Sequence, residues 1–450
     1  MGISSSMNAG VAGLNANANK LGTIADNIAN SQTNGYKRAD VDFASMTVND
    51  ARTSYAIGGG RSYTAGGVTT TAIFNIEAKG AVTGTDNATD IAISGRGMLP
   101  VTSIASVGGN ASDQDLMLTS TGSFDINAKG YLTTSSGLVL LGWAANANGT
   151  IPAQPRDSAS GLQPVRVNLS GTAALPSSEI VVNANLPATA TAAGSTGDAQ
   201  PINVEYFDNL GAAQTLSMTF TPTVPAAGNP NSNTWTLDIV DQATGLSAGS
   251  YQIVFSTASG NAGNIASVTQ LAAGATPPST TYDATTGEMS LQLGDQAIAI
   301  QLGSTDAAGA HHLTQLSSTF SSSGVTKDGN AAGTFTGLSI DEKGLLSASY
   351  STGFSRVIYQ IPVADVPNLN GLRVLDNQSY AVSSESGPLF LYDAGTGPVG
   401  GIEGFALEQS TTDTANELTQ LIQTQRAYSS NAKIIQTVDE MMQETTNLKR

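Results

Sequence analysis

The chain has 450 residues, no cysteine, 18 Lys and Arg against 35 Asp and Glu, and a formal net charge of -17. This length accommodates roughly two to four domains and more than one buried core. The absence of Cys excludes disulfides, thiol catalysis and Cys-ligated zinc, and the scarcity of cations excludes an extended nucleic-acid interface. Only 12% of the residues are charged. Such a neutral surface of small residues is unusual for a soluble monomer and suits one that meets copies of itself. A bacterial extracellular β-rich protein fits the composition equally well.

No run approaches the roughly 18 apolar residues needed to span a bilayer, and LVLLGWAA at Leu138–Ala145 reads as a buried strand. The opening MGISSSMNAGVAGLNANANK has neither a basic n-region nor a continuous apolar h-region. A Sec signal peptide is therefore not expected; the protein is cytoplasmic or leaves by a route that cleaves no such signal.

The first predicted element is a helix over residues 1–32. Met7, Val11, Leu14, Ala18, Leu21, Ala25 and Ile28 recur at spacings of four and three, as in the a/d seam of a coiled coil. Ile24 adds to the end of this seam, and Ser4 to Ser6 are candidate N-caps. Gly10, Gly13, Gly22 and five Asn between Asn8 and Asn27 weaken the helix, Gly by up to about 1 kcal/mol each. It should be marginal alone and need partners. At its end, IADNIANSQTNGYKR interrupts the apolar pattern. Asn27 and Asn30 are expected to hydrogen-bond at a crowded helix end. Asn34-Gly35 should supply a positive-φ turn, with Lys37 and Arg38 as cations complementing the helix C-terminus. Residues 33–72 read as a connecting loop region, with GGGRSYTAGG at Gly58–Gly67 as flexible loop.

From about residue 73 the pattern is β. INAKGYL at Ile126–Leu132 and IDEKGLL at Ile340–Leu346 share one turn signature, and IEAKGAV at Ile76–Val82 is a weaker third copy. In each, Asn or Asp opens a turn and Gly takes the positive φ. Between the first two copies lie short alternating runs at Pro201–Asn209, Thr215–Pro222, Thr234–Val240, Tyr251–Phe255 and Met289–Leu293. The expected organisation is a β host domain formed by 73–146 and 317–395, carrying an inserted outer β domain at 147–316. The last element, within 396–450, is a helix from about Leu407 to Leu448 with no Pro or Gly. Leu418, Leu421, Ile422, Tyr428, Ala432, Ile435, Val438, Met442 and Leu448 form its apolar stripe, interrupted by Gln425, which can fix register. The simplest partner for the first helix is this one. The fold class is therefore mainly β with α-helical termini paired as a coiled-coil-like domain.

Nothing in the sequence assembles a catalytic constellation. His311 and His312 are adjacent and point apart. SNAK at Ser430–Lys433 matches a nucleophile pattern without its companion motifs. Gly58–Gly67 lacks the spacing and following helix of a phosphate loop. No nonapeptide repeat suggests Ca²⁺. No enzyme activity, metal or cofactor is expected.

NIANSQTNGYKR at Asn27–Arg38 resembles the N-terminal signature of the bacterial flagellar rod/hook axial proteins. ALEQSTTDTANELTQLIQTQRAYSSNAKIIQTVDEMMQETTNLKR at Ala406–Arg450 is similar to that family's C-terminal helix. AISGRG at Ala92–Gly97 and GTFTGLSIDEKGLL at Gly333–Leu346 are also similar to its host domain, although Met98-Leu99-Pro100 stands where aromatics are usual. The resemblance adds Tyr36, Arg426 and Asn431 to the expected assembly residues. The large insert favours a hook-type member; a distal rod-type member is the alternative within the family, and a β-rich surface adhesin the alternative outside it. The resemblance implies a subunit that self-assembles into a hollow, curved, flexible tube transmitting torque from rod to filament. Its implied partners are itself, distal rod, hook cap and hook–filament junction proteins, and the flagellar export apparatus, with no nucleic acid and no membrane insertion. The implied location is the extracellular flagellum, reached without a cleaved signal peptide.

Overall fold

The computed structural model describes residues 3–47, 65–108, 115–146, 148–169, 172–273, 282–293, 295–306 and 308–448. The chain divides into two compact units. One comprises Met1–Leu169, Leu338–Ala348 and Arg356–Arg450; the other comprises Ser170–Gly337 and Ser349–Ser355. The second unit starts at Ser170, not at 147, because Leu162 and Val165 are buried in the first unit and Gln163–Pro164 pairs with the strand Leu138–Ala144.

The first unit carries both terminal helices, α1 at Ile3–Ala29 and α2 at Thr414–Leu448. α1 begins at Ile3, so Ser4 to Ser6 lie in its first turn and do not cap it. α2 begins later than the apolar pattern suggests. Asp413 caps it, its Oδ1 accepting from the amides of Ala415 at 2.9 Å and Asn416 at 3.2 Å, and Ala406–Glu408 is instead a strand paired with Val82–Gly84. At 35 residues, α2 is about 52 Å long.

The region expected to be a connecting loop contains an antiparallel hairpin, β1 at Ala39–Thr47 and β2 at Ala65–Phe74, in the register Ala39↔Phe74 and Val41↔Ala72. Its β-branched content, VTTTAIF above all, favours strand, but its apolar alternation is too weak to stand out. Most of the Gly58–Gly67 stretch lies outside the described residues.

The β part of this unit is built on Leu138–Ala144, whose first six residues are buried, as its apolar run suggested. It pairs antiparallel with Leu99–Ser103 and Ser355–Gln360. Trp143, Leu141, Met98, Leu118 and Leu391 share one core. Met98, in the place of an expected aromatic, is fixed by reciprocal 2.8 Å backbone bonds with Ala364. The two strong turn copies are built alike. Gly130 and Gly344 have positive φ, and Asn127 Oδ1 and Asp341 Oδ1 accept from the amides that follow. The third copy is not such a turn. Gly80 lies where an added Cβ would fall 2.0 Å from the Gln409 carbonyl oxygen, so its glycine serves close approach, not positive φ.

The second unit is two five-stranded sheets sharing one core. The first is an antiparallel meander of Gln200–Phe207, Ala213–Pro222, Thr234–Asp241, Leu246–Phe255 and Ile265–Ala273. Its alternating burial follows the period of two that marked these runs in the sequence. In the second sheet Glu179–Pro187 pairs parallel to Gln296–Gln301 and Leu313–Leu316, and antiparallel to Ser321–Lys327.

Candidate assembly site

α1 packs antiparallel on α2, with glycines at the close approach and only part of the expected apolar seam buried. Gly10 faces Ile435, where a Cβ would lie 3.1 Å from Cγ1, and Gly13 faces Asn431, where a Cβ would lie 2.8 Å from Nδ2. Gly10, Gly13, Ala16, Ile24 and Asn27 are the buried positions of α1. Two glycines one turn apart let the backbones approach closely, a gain that offsets their helix-propensity cost. The hairpin β1–β2 packs on an adjacent side, with Asn19 Nδ2 donating to Thr70 Oγ1 at 2.9 Å.

The expected seam is consequently split. Ile24 and Val438 are buried; Met7, Leu14, Leu21, Ile28, Leu421, Asn431 and Ile435 are half-buried. Val11, Leu418, Ile422, Tyr428 and Met442 remain 40–50% exposed, and Gln425 and Arg426 are exposed with them. The apolar residues of α2 therefore lie on more than one face, which periodicity alone merged into one stripe.

Where α1 ends, the chain turns through a tightly bonded joint. Asn27 Nδ2 donates to the Ala39 carbonyl at 2.8 Å while its Oδ1 accepts from the Ala39 amide at 3.0 Å, tying the helix end to the first residue of β1. The Tyr36 hydroxyl donates to Asn27 Oδ1 at 3.0 Å and Asp26 Oδ2 at 3.2 Å; burial and the Asp26 charge push its pKa well up. Asn30 bonds within the same turn, to Asp26 and from Thr33. Gly35 takes the positive φ, 73°, and its amide donates to the Glu408 carbonyl at 2.7 Å.

Lys37 and Arg38 do not complement the end of α1. Lys37 Nζ donates to Glu408 Oε1 and to the Ala78 carbonyl, both at 2.7 Å, and both side chains of the ion pair are 1% exposed. Burial lowers the Lys37 pKa, and the Glu408 charge offsets part of that shift. The same Oε1 accepts from the Gly80 amide at 2.7 Å. Arg38 Nε donates to Glu417 Oε1, in the first turn of α2. An acidic side chain there is favoured by the helix dipole. The two cations thus join the N-terminal segment to residues about 370 positions later.

Glu408, Glu417, Gly10 and Gly13 were not among the expected site residues. Their signals were present: Glu408 lies in the ALEQS stretch that opens the quoted C-terminal segment, and the glycines recur at i and i+3. Among the described residues no group of His, Asp and Glu could hold a metal ion. His312 Nδ1 instead meets Asn183 Oδ1 at 2.9 Å. No described helix is long and apolar enough to cross a membrane.

Residues 7–37 match the family model for flagella basal body rod protein, and 404–448 match that for the flagellar basal body rod FlgEFG protein C-terminal. Residues 168–330 match the flagellar basal body protein FlaE D2 domain. The flagellar hook protein FlgE of Rhizobium meliloti is 33% identical over the full length of both chains. The chain belongs to the flagellar hook protein family. The family's hook proteins of Brucella suis and Escherichia coli are 31% and 26% identical, aligned over at least 98% of each chain. Membership makes the chain a structural, non-enzymatic component of bacterial motility, placed in the extracellular flagellum. The likeness to these hook proteins runs end to end, and the insert itself matches a domain model of the same system.

Proposed function

We propose that the chain is the subunit of a hollow, curved tube that acts as the flagellar hook, a flexible joint between rod and filament. The observation that carries the reading is the half-exposed apolar residues Val11, Leu418, Ile422 and Met442 on a helix pair held by a buried joint. Their distribution along the whole pair and over more than one face matches a subunit that meets several neighbours. A neighbouring copy docking there makes a heterologous contact, and repetition without closure generates an open helical filament. Outer β domains with few charges suit the weak, sliding contacts that bending requires. The expected assembly residues then fall into three roles. Asn27, Asn30, Gly35, Tyr36 and Lys37 shape the joint within one subunit. Met7, Val11, Leu14, Leu21, Ile28, Leu418, Ile422, Gln425, Arg426, Tyr428 and Met442 meet neighbours, while Ile24, Leu421, Asn431, Ile435 and Val438 hold the helix pair.

The remaining partners follow from the same reading: distal rod, hook cap and hook–filament junction proteins at the tube ends, and the flagellar export apparatus, with export that cleaves no signal peptide. The decisive experiment is electron microscopy of the purified protein after salting-out. Tubes are expected; a protein that stays monomeric or forms only amorphous aggregate refutes the reading.

A further inference from the structure

A cleft of about 230 Å³ opens in the first unit beside the joint. Its wall includes Asn34 of the joint turn, Thr134 and Ser135 of a loop, Leu407 before the buried glutamate, and the consecutive pair Asn377 and Gln378. No charged side chain and no aromatic ring lines it.

Asn377 and Gln378 are the two central residues of a tight hairpin turn between Arg373–Val374 and Tyr380–Ala381. Its ends are joined by Ser379 N–H donating to Asp376 O at 3.3 Å and Leu375 N–H to Ser379 O at 2.9 Å. Their φ values are 60° and 53°. Glycine takes such a pair of positive φ angles without cost, and Asn tolerates one. Gln at the second position is strained, because its Cβ crowds the neighbouring carbonyl in this left-handed conformation. The side-chain amides of Asn34, Asn377 and Gln378 have no hydrogen-bond partner among the described residues. Asn34 and Asn377 are exposed and Gln378 is half-buried, so these amides are open to a partner, and strain kept at a turn beside a polar cleft points to a use for it.

Chemistry narrows the occupant. Without charge the cleft offers nothing to an ion, and without a ring it offers no stacking platform to a sugar or base. Primary amides pair well with peptide groups, which present a donor and an acceptor side by side. We propose that the cleft receives extended main chain from a neighbouring copy, its peptide groups bonded by Asn34, Asn377 and Gln378. The proposal rests on the self-assembly argued above. It fits a chain whose loops are dominated by Gly, Ala, Ser and Thr, where main chain is the accessible feature.

Because the protein has no cysteine, Asn377→Cys supplies a single reporter, and Ser135→Cys reads the opposite wall if that variant fails to fold. Maleimide labelling of either thiol should be at least tenfold slower in salted-out tubes than in the monomer. In parallel, Asn377→Gly with Gln378→Gly removes two amides and the strain. The critical concentration for tubes should rise about tenfold, from about 0.7 kcal/mol lost per amide, while the monomer melts no lower. Gln378→Asn alone, which keeps both amides at the turn, should assemble close to the unmodified protein. Tubes whose thiol labels as fast as in the monomer, or a glycine pair that assembles unchanged, overturn the cleft and leave assembly standing. Failure of the unmodified protein to form tubes overturns both.

Discussion

Replacing Glu408 by Ala removes one half of an ion pair whose other half, Lys37, stays 1% exposed in a site shaped around it. An uncompensated buried charge costs about 3–5 kcal/mol. Glu408 Oε1 also accepts from the Gly80 amide, and an orphaned buried amide costs about 1–3 kcal/mol on its own. The double variant Lys37→Met with Glu408→Leu removes both charges and leaves the Gly80 amide and the Ala78 carbonyl without these partners. It should therefore fall only about 2–4 kcal/mol below the unmodified chain and be more stable than Glu408→Ala. Trp143 lies in the core of the first unit and Trp235 in that of the second. In a Trp235→Phe background, urea unfolding followed by tryptophan fluorescence reports on the unit that holds the joint. A loss below about 1 kcal/mol in Glu408→Ala would refute the argument that this pair ties the two ends of the chain. So would a double variant at least as unstable as the single one.

Three further outcomes follow. Gly10→Leu places a bulky side chain where a single Cβ already comes within 3.1 Å of Ile435; α1 should separate from α2, seen as loss of helical circular dichroism with the β signal retained. Asn27→Leu leaves both backbone groups of Ala39 unpaired and should cost about 2–4 kcal/mol, measured in the same urea titration. Lys79 is exposed as a whole, but its ammonium, donating to the Gly97 carbonyl at 3.1 Å, is desolvated and lies near the Lys37 and Arg96 charges; this lowers its pKa to about 8 despite partial compensation by Glu408 and Asp365. The unfolded value is about 10.4, so between these pH values the unfolded chain binds more protons and stability rises with pH. Lys79→Met should reduce that rise in melting temperature between about pH 8 and pH 10; an unchanged slope would contradict it.

Much of this architecture was legible in the sequence, and where it was not the reasons are physical. The meander strands announced themselves because each is buried on one face, so period two survives in the residue pattern. The terminal helices announced themselves by length and by the absence of Pro and Gly in the second. Their contact was misread in detail. Hydrophobicity marks where apolar side chains are, while α1 meets α2 through glycines, which carry no side chain to mark. The hairpin Ala39–Thr47/Ala65–Phe74 escaped because threonines and short apolar residues give β propensity without strong alternation. Lys37 and Arg38 looked like helix-end cations because local spacing cannot reveal partners as distant as Glu408 and Glu417. The Asn27 and Gly35 roles were readable because they are local: a polar side chain at a crowded helix end, and a glycine where the turn needs positive φ.

In the proposed tube, the apolar residues left exposed on the helix pair are covered by neighbouring copies. Leu418 and Ile422 are each about half exposed, so burying the rest is worth about 1 kcal/mol apiece, and a carboxylate in either place adds a desolvation penalty. Sedimentation of salted-out Leu418→Glu/Ile422→Glu against the unmodified chain tests this directly. An unchanged monomer melt and a critical concentration raised at least thirtyfold are expected. Equal critical concentrations in the two proteins would contradict it.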